Sequence, residues 1–119
     1  MSKHLEVGLL LDYYGSLLTK TQYNLADLYY NQDLSLSEIA ENTGITRQGV
    51  YDSIKRTEEA LKKFEKKLNM KSNLYKINNI AVEILRIVDK LKKDESEEVT
   101  KIKLLINELL NEVRNQNGI

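Results

Sequence analysis

Twelve residues, Ser35 to Thr46 (SLSEIAENTGIT), hold two helix starts and one helix stop, and they restrict the fold more than any other stretch of the chain. Ser35 and Glu38 form a capping box, in which hydroxyl and carboxylate satisfy backbone N–H groups that a first helical turn leaves unpaired. Leu34 and Ile39 stand at the two positions of a hydrophobic staple. A helix over about 36–43 is predicted. Gly44 can end it, because a residue without Cβ takes up positive φ without strain. Thr46 can cap the next helix only two residues later. Helices joined by so short a turn cross steeply, which is the helix-turn-helix arrangement. Ala40 lies where they cross closely, and Ile39, Ile45, Val50 and Ile54 point into the small core that sets their angle.

The rest of the chain reads as further helices, and five glycines without a single proline suit that reading. The first helix is expected over about Lys3 to Tyr13, with Leu5, Leu9, Leu10 and Tyr13 on one face and Gly15 as its stop. Thr19 with Gln22 makes another capping box, and Tyr23, Ala26, Tyr29 and Tyr30 recur at helical spacing over about 20–31. Asn31-Gln32-Asp33 follows as a polar turn. The helix after Thr46 is predicted over about 47–68, with Val50, Ile54, Leu61, Phe64 and Leu68 along one stripe; at ~1.5 Å per residue it would be roughly 33 Å long. Asn69 to Asn73 reads as a hinge. Beyond it Leu74, Ile77, Ala81, Ile84, Val88 and Leu91, and then Val99, Ile102, Ile106, Leu109 and Val113, repeat with alternating three- and four-residue spacing. A polar turn at Lys93 to Ser96 joins these into a helical hairpin. The fold class is therefore all-α, with a helix-turn-helix unit over 1–71 and a C-terminal hairpin over 72–119. Ile80, Leu85, Ile87, Leu104, Leu105 and Leu110 lie off the main stripes, more apolar surface than two facing helices can bury, so a homodimer or a protein partner is expected.

Inventory excludes several function classes. With no cysteine there is no disulfide, thiolate metal site or cysteine nucleophile. His4 is the single histidine, near a terminus and without cysteines or a clustered carboxylate partner, so it reads as a solvent-exposed side chain; no metal, cofactor or catalytic constellation is expected, and the chain is not read as an enzyme. No apolar run approaches the roughly 20 residues that span a bilayer, and acidic Glu6 and Asp12 flank the short run Val7 to Leu11, so no membrane association and a cytoplasmic location are expected.

The net charge is zero, unusual for a nucleic-acid binder, but it is unevenly distributed. Residues 1–46 carry two basic and six acidic groups, a net −4; residues 47–71 carry eight and four, a net +4; the remainder balance at eight and eight. Within the basic segment, Thr46, Arg47, Gln48, Tyr51, Asp52 and Lys55 fall on the outward face of the second helix, where its first turns could enter a major groove of DNA. Arg47 is suited to pair bidentately with guanine and Gln48 with adenine, while Lys55 and Arg56 suit phosphates. Asp33, Glu38, Glu41 and Asp52 oppose that role, and the competing reading is a plain helical pair with solvated charges. Tyr13, Tyr14, Tyr23, Tyr29 and Tyr30 are better read as partly buried core than as a stacking platform for bases, with Tyr51 the exception. Lys62, Lys63, Lys66, Lys67 and Lys71, interleaved with Glu58, Glu59 and Glu65, read first as a salt-bridged solvated face and second as a strip that tracks phosphates.

Residues 19–57, TKTQYNLADLYYNQDLSLSEIAENTGITRQGVYDSIKRT, resemble region 4 of bacterial sigma factors, through the LTxxQ opening, LYY before the turn, SxxEIA and V-x-x-x-I-x-R. The wider stretch from LLLDYYGSLLT to GITRQGVYDSIKRTE is similar to the YlxM family over roughly the first 70 residues. That resemblance implies a helix-turn-helix regulatory protein, encoded beside the signal recognition particle GTPase and its receptor and associated with that pathway. It assigns DNA contacts by position to Thr46, Arg47, Gln48, Tyr51 and Lys55. The alternative it leaves open is a module that does not bind DNA and instead binds the signal recognition particle through its RNA or protein. The hairpin from Leu74 onward matches no motif.

Overall fold

The computed structural model describes residues 2–91 and 96–115, which form six α-helices and no strand. They are α1 (Lys3–Tyr14), α2 (Lys20–Ala26), α3 (Leu36–Thr43), α4 (Arg47–Leu68), α5 (Met70–Asp89) and α6 (Glu97–Asn115). The chain divides after Lys71 into two compact units.

In the first unit, α4 is the element that α1, α2 and α3 all pack against. Its buried stripe is Val50, Ile54, Thr57 and Leu61, and around it lie Val7, Leu10, Leu11 and Tyr14 of α1, Leu25 and Ala26 of α2, Tyr30, and Ile39 of α3. Each large apolar side chain so buried contributes about 1.5–3 kcal/mol relative to exposure. Phe64 is half-buried at the end of the stripe and Leu68 is exposed. Thr57 fills the gap that the apolar reading leaves between Ile54 and Leu61; it is fully buried, and its Oγ1 has no hydrogen-bond partner among the described residues.

The face of α1 is turned from the one expected. Leu10 is buried, but its companions are Val7, Leu11 and Tyr14; Leu5 is 60% exposed, and Leu9 and Tyr13 are half-buried. Three consecutive leucines and two consecutive tyrosines leave the register open in sequence, and the Tyr14 hydroxyl selects it. It donates to Glu65 Oε1 at 2.6 Å and accepts from the Met70 backbone N–H at 2.9 Å, while Glu65 Oε1 also accepts from the Lys71 N–H at 3.0 Å. These groups replace an ordinary N-cap at the start of α5. The expected hinge at 69–73 is accordingly one residue: Asn69 adopts φ 53°, and α5 begins at Met70.

Gly15 is not a left-handed helix stop, since its φ is −55° and a short 3-10 turn follows over Gly15–Leu17. Its role is steric: a Cβ there would stand 2.8 Å from the Tyr23 ring. α2 continues into a π-helical turn, Asp27–Asn31, whose Asp27 carboxylate accepts from the Asn31 and Gln32 side-chain amides at 2.8 and 3.0 Å. Leu25, Ala26 and Tyr30 are the buried residues of this stretch, whereas Tyr29 is half-buried and Tyr23 is 40% exposed.

In the second unit α5 and α6 pack through Ala81, Leu85 and Val88 against Val99, Ile106 and Leu110, with Lys103 Nζ 3.2 Å from Asp89 Oδ1. The inner row of α5 is Leu74, Asn78, Ala81, Leu85 and Val88, and that of α6 is Val99, Lys103, Ile106, Leu110 and Val113. The stripes read from sequence straddle two faces. Ile77 and Ile84 join Ile80 and Ile87 in an exposed outer row on α5, Leu91 is exposed just past the end of that helix, and Ile102, Leu105 and Leu109 form the counterpart row on α6. The turn expected at Lys93 to Ser96 lies outside the described residues except for Ser96.

Replacing Tyr14 by Phe leaves the Met70 N–H without its acceptor and removes the Glu65 bond, so urea unfolding should show a loss of about 1–3 kcal/mol. Burial raises the Tyr14 phenol above its ordinary 10.0, the Glu65 hydrogen bond adds to the effect, and burial raises Tyr30 further. Because the fold favours the neutral phenols, stability is fully present below about pH 10 and falls as pH climbs from there toward the raised folded values. Alkaline titration followed by circular dichroism should show that loss, reduced in Tyr14→Phe.

Candidate nucleic-acid interface

The turn between α3 and α4 is closed by backbone and side-chain bonds in succession. Both halves of the Ser35–Glu38 capping box form, at 3.0 and 3.1 Å. Gly44 stands at φ 77° and its N–H donates to the Ala40 carbonyl at 3.0 Å. The Thr43 hydroxyl donates to the Ile39 carbonyl and accepts from the Ile45 N–H, and Thr46 Oγ1 accepts from the Gly49 N–H at 3.1 Å to start α4. Beneath the turn, Ile39 and Val50 are fully buried, with Ala40 and Ile45 packed at their edge.

With Val50 and Ile54 turned inward, the first turns of α4 expose Arg47, Gln48, Tyr51, Asp52 and Lys55, behind the exposed cap Thr46. Gln48 Nε2 donates to Asp52 Oδ1 at 3.0 Å, and Lys55 Nζ stands 6.0 Å from the centre of the Tyr51 ring, within range of a cation–π contact. Arg56 is exposed one turn beyond Asp52 and lines shallow grooves both with Asp52, Lys55 and Glu59 and with Thr19, Thr21 and Gln22 at the start of α2.

A larger cleft of about 610 Å³ opens beside Tyr51 and Lys55, between α4, the start of α1 and the π-helical turn. His4 sits on its wall, not free in solvent: its ring centroid is 4.9 Å from that of Tyr30 and 5.2 Å from that of Tyr29, and its Nε2 is 3.3 Å from Asp33 Oδ1. Sequence separation hides this cluster, which depends on the π-helical turn and on Asp33 at φ 57°. Glu58 borders the same cleft, pairing with Lys3 at 3.0 Å and Lys62 at 2.9 Å. Burial raises the Glu58 carboxyl, but the hydrogen bonds from Lys62 and Lys3 outweigh it and hold the group below its ordinary value. Lys62 shares the one Glu58 charge with Lys3, and Lys62, Lys63, Lys66 and Lys67 are all exposed. Of the tyrosines, Tyr14 and Tyr30 belong to the core and Tyr51 is 43% exposed. Among the described residues no cluster of carboxylates and histidine could hold a metal ion, and no helix is long and apolar enough to cross a membrane.

Fold and exposed α4 face together define a helix-turn-helix protein of all-α architecture. Residues 1–106 match the model of the family described as "UPF0122: Putative helix-turn-helix protein, YlxM / p13 like", well beyond the motif strings of the first 70 residues. A UPF0122 protein of Clostridium kluyveri is 46% identical over 99 residues, covering 83% of this chain and 89% of that relative. One from Acetivibrio thermocellus is 51% identical over 86 residues, or 72% of this chain and 74% of its own. One from Clostridium perfringens is 39% identical over 115 residues, covering 97% and 99% of the two chains. The chain belongs to this YlxM / p13-like family.

A Cβ at Gly44 would meet nothing within 4 Å, so the cost of Gly44→Ala is that of the left-handed backbone alone. Chemical denaturation should report a loss of about 1–2 kcal/mol with an unchanged slope.

Proposed function

We propose that this protein is a DNA-binding regulator, not an enzyme, acting in the cytoplasm as a homodimer that sets the start of α4 into the major groove at each half-site. The observation that supports this best is the division of α4 into an inward stripe that locks the interhelical angle and an outward face on which Arg47, Gln48, Tyr51 and Lys55 are all exposed. Arg47 is assigned to guanine O6 and N7, which its guanidinium can pair bidentately. Gln48 is assigned to adenine, and its bond to Asp52 orients the amide before contact. Thr46, Lys55 and Arg56 are assigned to phosphates, Arg56 on the flank of the groove. Asp52 opposes binding to any duplex, so it lowers affinity without changing the ratio between sites and leaves the base contacts to supply discrimination.

A second reading is that the protein serves the signal recognition particle pathway by binding the particle's RNA or protein. The exposure of Lys63, Lys66 and Lys67 along α4 favours an RNA-backbone version of it.

The test is binding across a salt series to promoter DNA from the protein's own gene cluster, to unrelated duplex and to the particle RNA. On promoter DNA, Arg47→Ala should cost about 1–3 kcal/mol and Lys55→Ala should reduce the salt slope by about 1. Asp52→Asn should tighten binding to promoter and unrelated duplex alike. Binding that follows the RNA and is lost on charge reversal of Lys63 and Lys66 would favour the second reading.

A further inference from the structure

The outer face of the α5–α6 hairpin is an apolar surface that the fold leaves open. On α5 its row runs from Ile77 to Ile87 with spacings of three and four residues, Leu91 follows just past the helix end, and on α6 the row runs from Ile102 to Leu109 with the same spacing. At about 100° per residue, each outer row is offset from the inner row of its own helix by roughly the same angle and in the same sense. Because α5 and α6 run antiparallel, equal offsets bring both outer rows to one side of the hairpin, where they adjoin.

We propose that a second copy of this chain docks on that side, so that two hairpins close into an intermolecular four-helix bundle. This rests on the dimeric reading above and adds the face that makes the dimer. Eight isoleucine and leucine side chains, each 39–61% exposed, leave on the order of 700 Å² of apolar surface per copy, against the roughly 800 Å² per partner of a stable interface. That exceeds the few hundred Å² that a monomer ordinarily leaves contiguous. No charged residue interrupts either row; the charges nearest in line, Glu98 and Glu112, stand beyond the ends of the α6 row. A face without internal charge is self-complementary, since a two-fold axis sets no like charges against each other at its centre. The three- and four-residue spacing supplies the ridges that facing helices of a bundle interlock. Tyr75, Val82 and Leu104 are exposed too, but on the opposite flank and scattered, so they form no second row.

Light scattering on the purified full chain at about 100 μM should give twice the 13.8 kDa chain mass. Ile84→Glu combined with Leu105→Glu should weaken association at least 100-fold and give the single-chain mass, whereas Leu104→Glu should remain dimeric. Since the natural chain has no cysteine, Ile84→Cys and Leu105→Cys chains should give dimers with a short bismaleimide, and Leu104→Cys chains should not. The crosslink decides the question even if the charged variants do not fold. A wild-type monomer, a dimer that survives both glutamates, or crosslinking through Leu104→Cys alone overturns the proposal. The masses are read without nucleic acid, so the DNA reading fails separately, by a promoter affinity that Arg47→Ala leaves unchanged.

Discussion

Burial of one stripe of α4, Val50, Ile54, Thr57 and Leu61, is the constraint on which the rest of the first unit depends. α1, α2 and α3 all pack on this helix, so the stripe that builds the core also decides which residues of α4 stay in solvent. The same rotation that buries Val50 exposes Arg47, Tyr51 and Lys55. Stability and the candidate interface are therefore two faces of one periodicity, and repacking the stripe would redirect every outward side chain with it.

Around the stripe, polar groups settle the details that apolar burial leaves open. The Tyr14 hydroxyl decides between two registers of α1, and with Glu65 it satisfies the first N–H groups of α5 so that only Asn69 separates α4 from α5. Glu58 performs a comparable service at the cleft, drawing Lys3 and Lys62 together. Thr57 has the opposite character, a hydroxyl enclosed without a partner among the described residues. Its desolvation works against the packing of the otherwise apolar positions on either side of it.

What sequence disclosed follows the range of each interaction. The boxes at Thr19–Gln22 and Ser35–Glu38 are complete within four residues, and both form as read, so the starts of α2 and α3 were legible. The face of α1 was not, because Leu9, Leu10 and Leu11 satisfy two registers and the choice rests on Glu65, more than fifty residues away. His4 meets Asp33 and the Tyr29 and Tyr30 rings only through a π-helical turn, for which the sequence has no local signal. In the hairpin, the period located apolar rows but could not say which one the partner helix covers. Ala81 settles that geometrically: a small side chain on the inner row lets the helices approach closely, and the bulkier Ile80 and Ile84 are left outside. For the candidate site, spacing separated inward from outward positions on α4, while the flank occupied by Arg56 required the placement of α2.

Zero net charge weighs against nucleic-acid binding only if one copy acts alone. On a single α4 face, Arg47 and Lys55 are set against Asp52 and Glu59, so few phosphates would be neutralised and nonspecific affinity would be low. In the proposed dimer the second α4 engages a neighbouring half-site at the effective concentration set by its partner, so two weak contacts act as one stronger one without added charge. The acidic residues lower affinity for matched and unmatched duplex alike, so discrimination rests on the base contacts, which a duplex that matches neither half loses twice. A neutral chain with a divided α4 and an apolar hairpin thus suits a regulator that gains selectivity through pairing more than through charge.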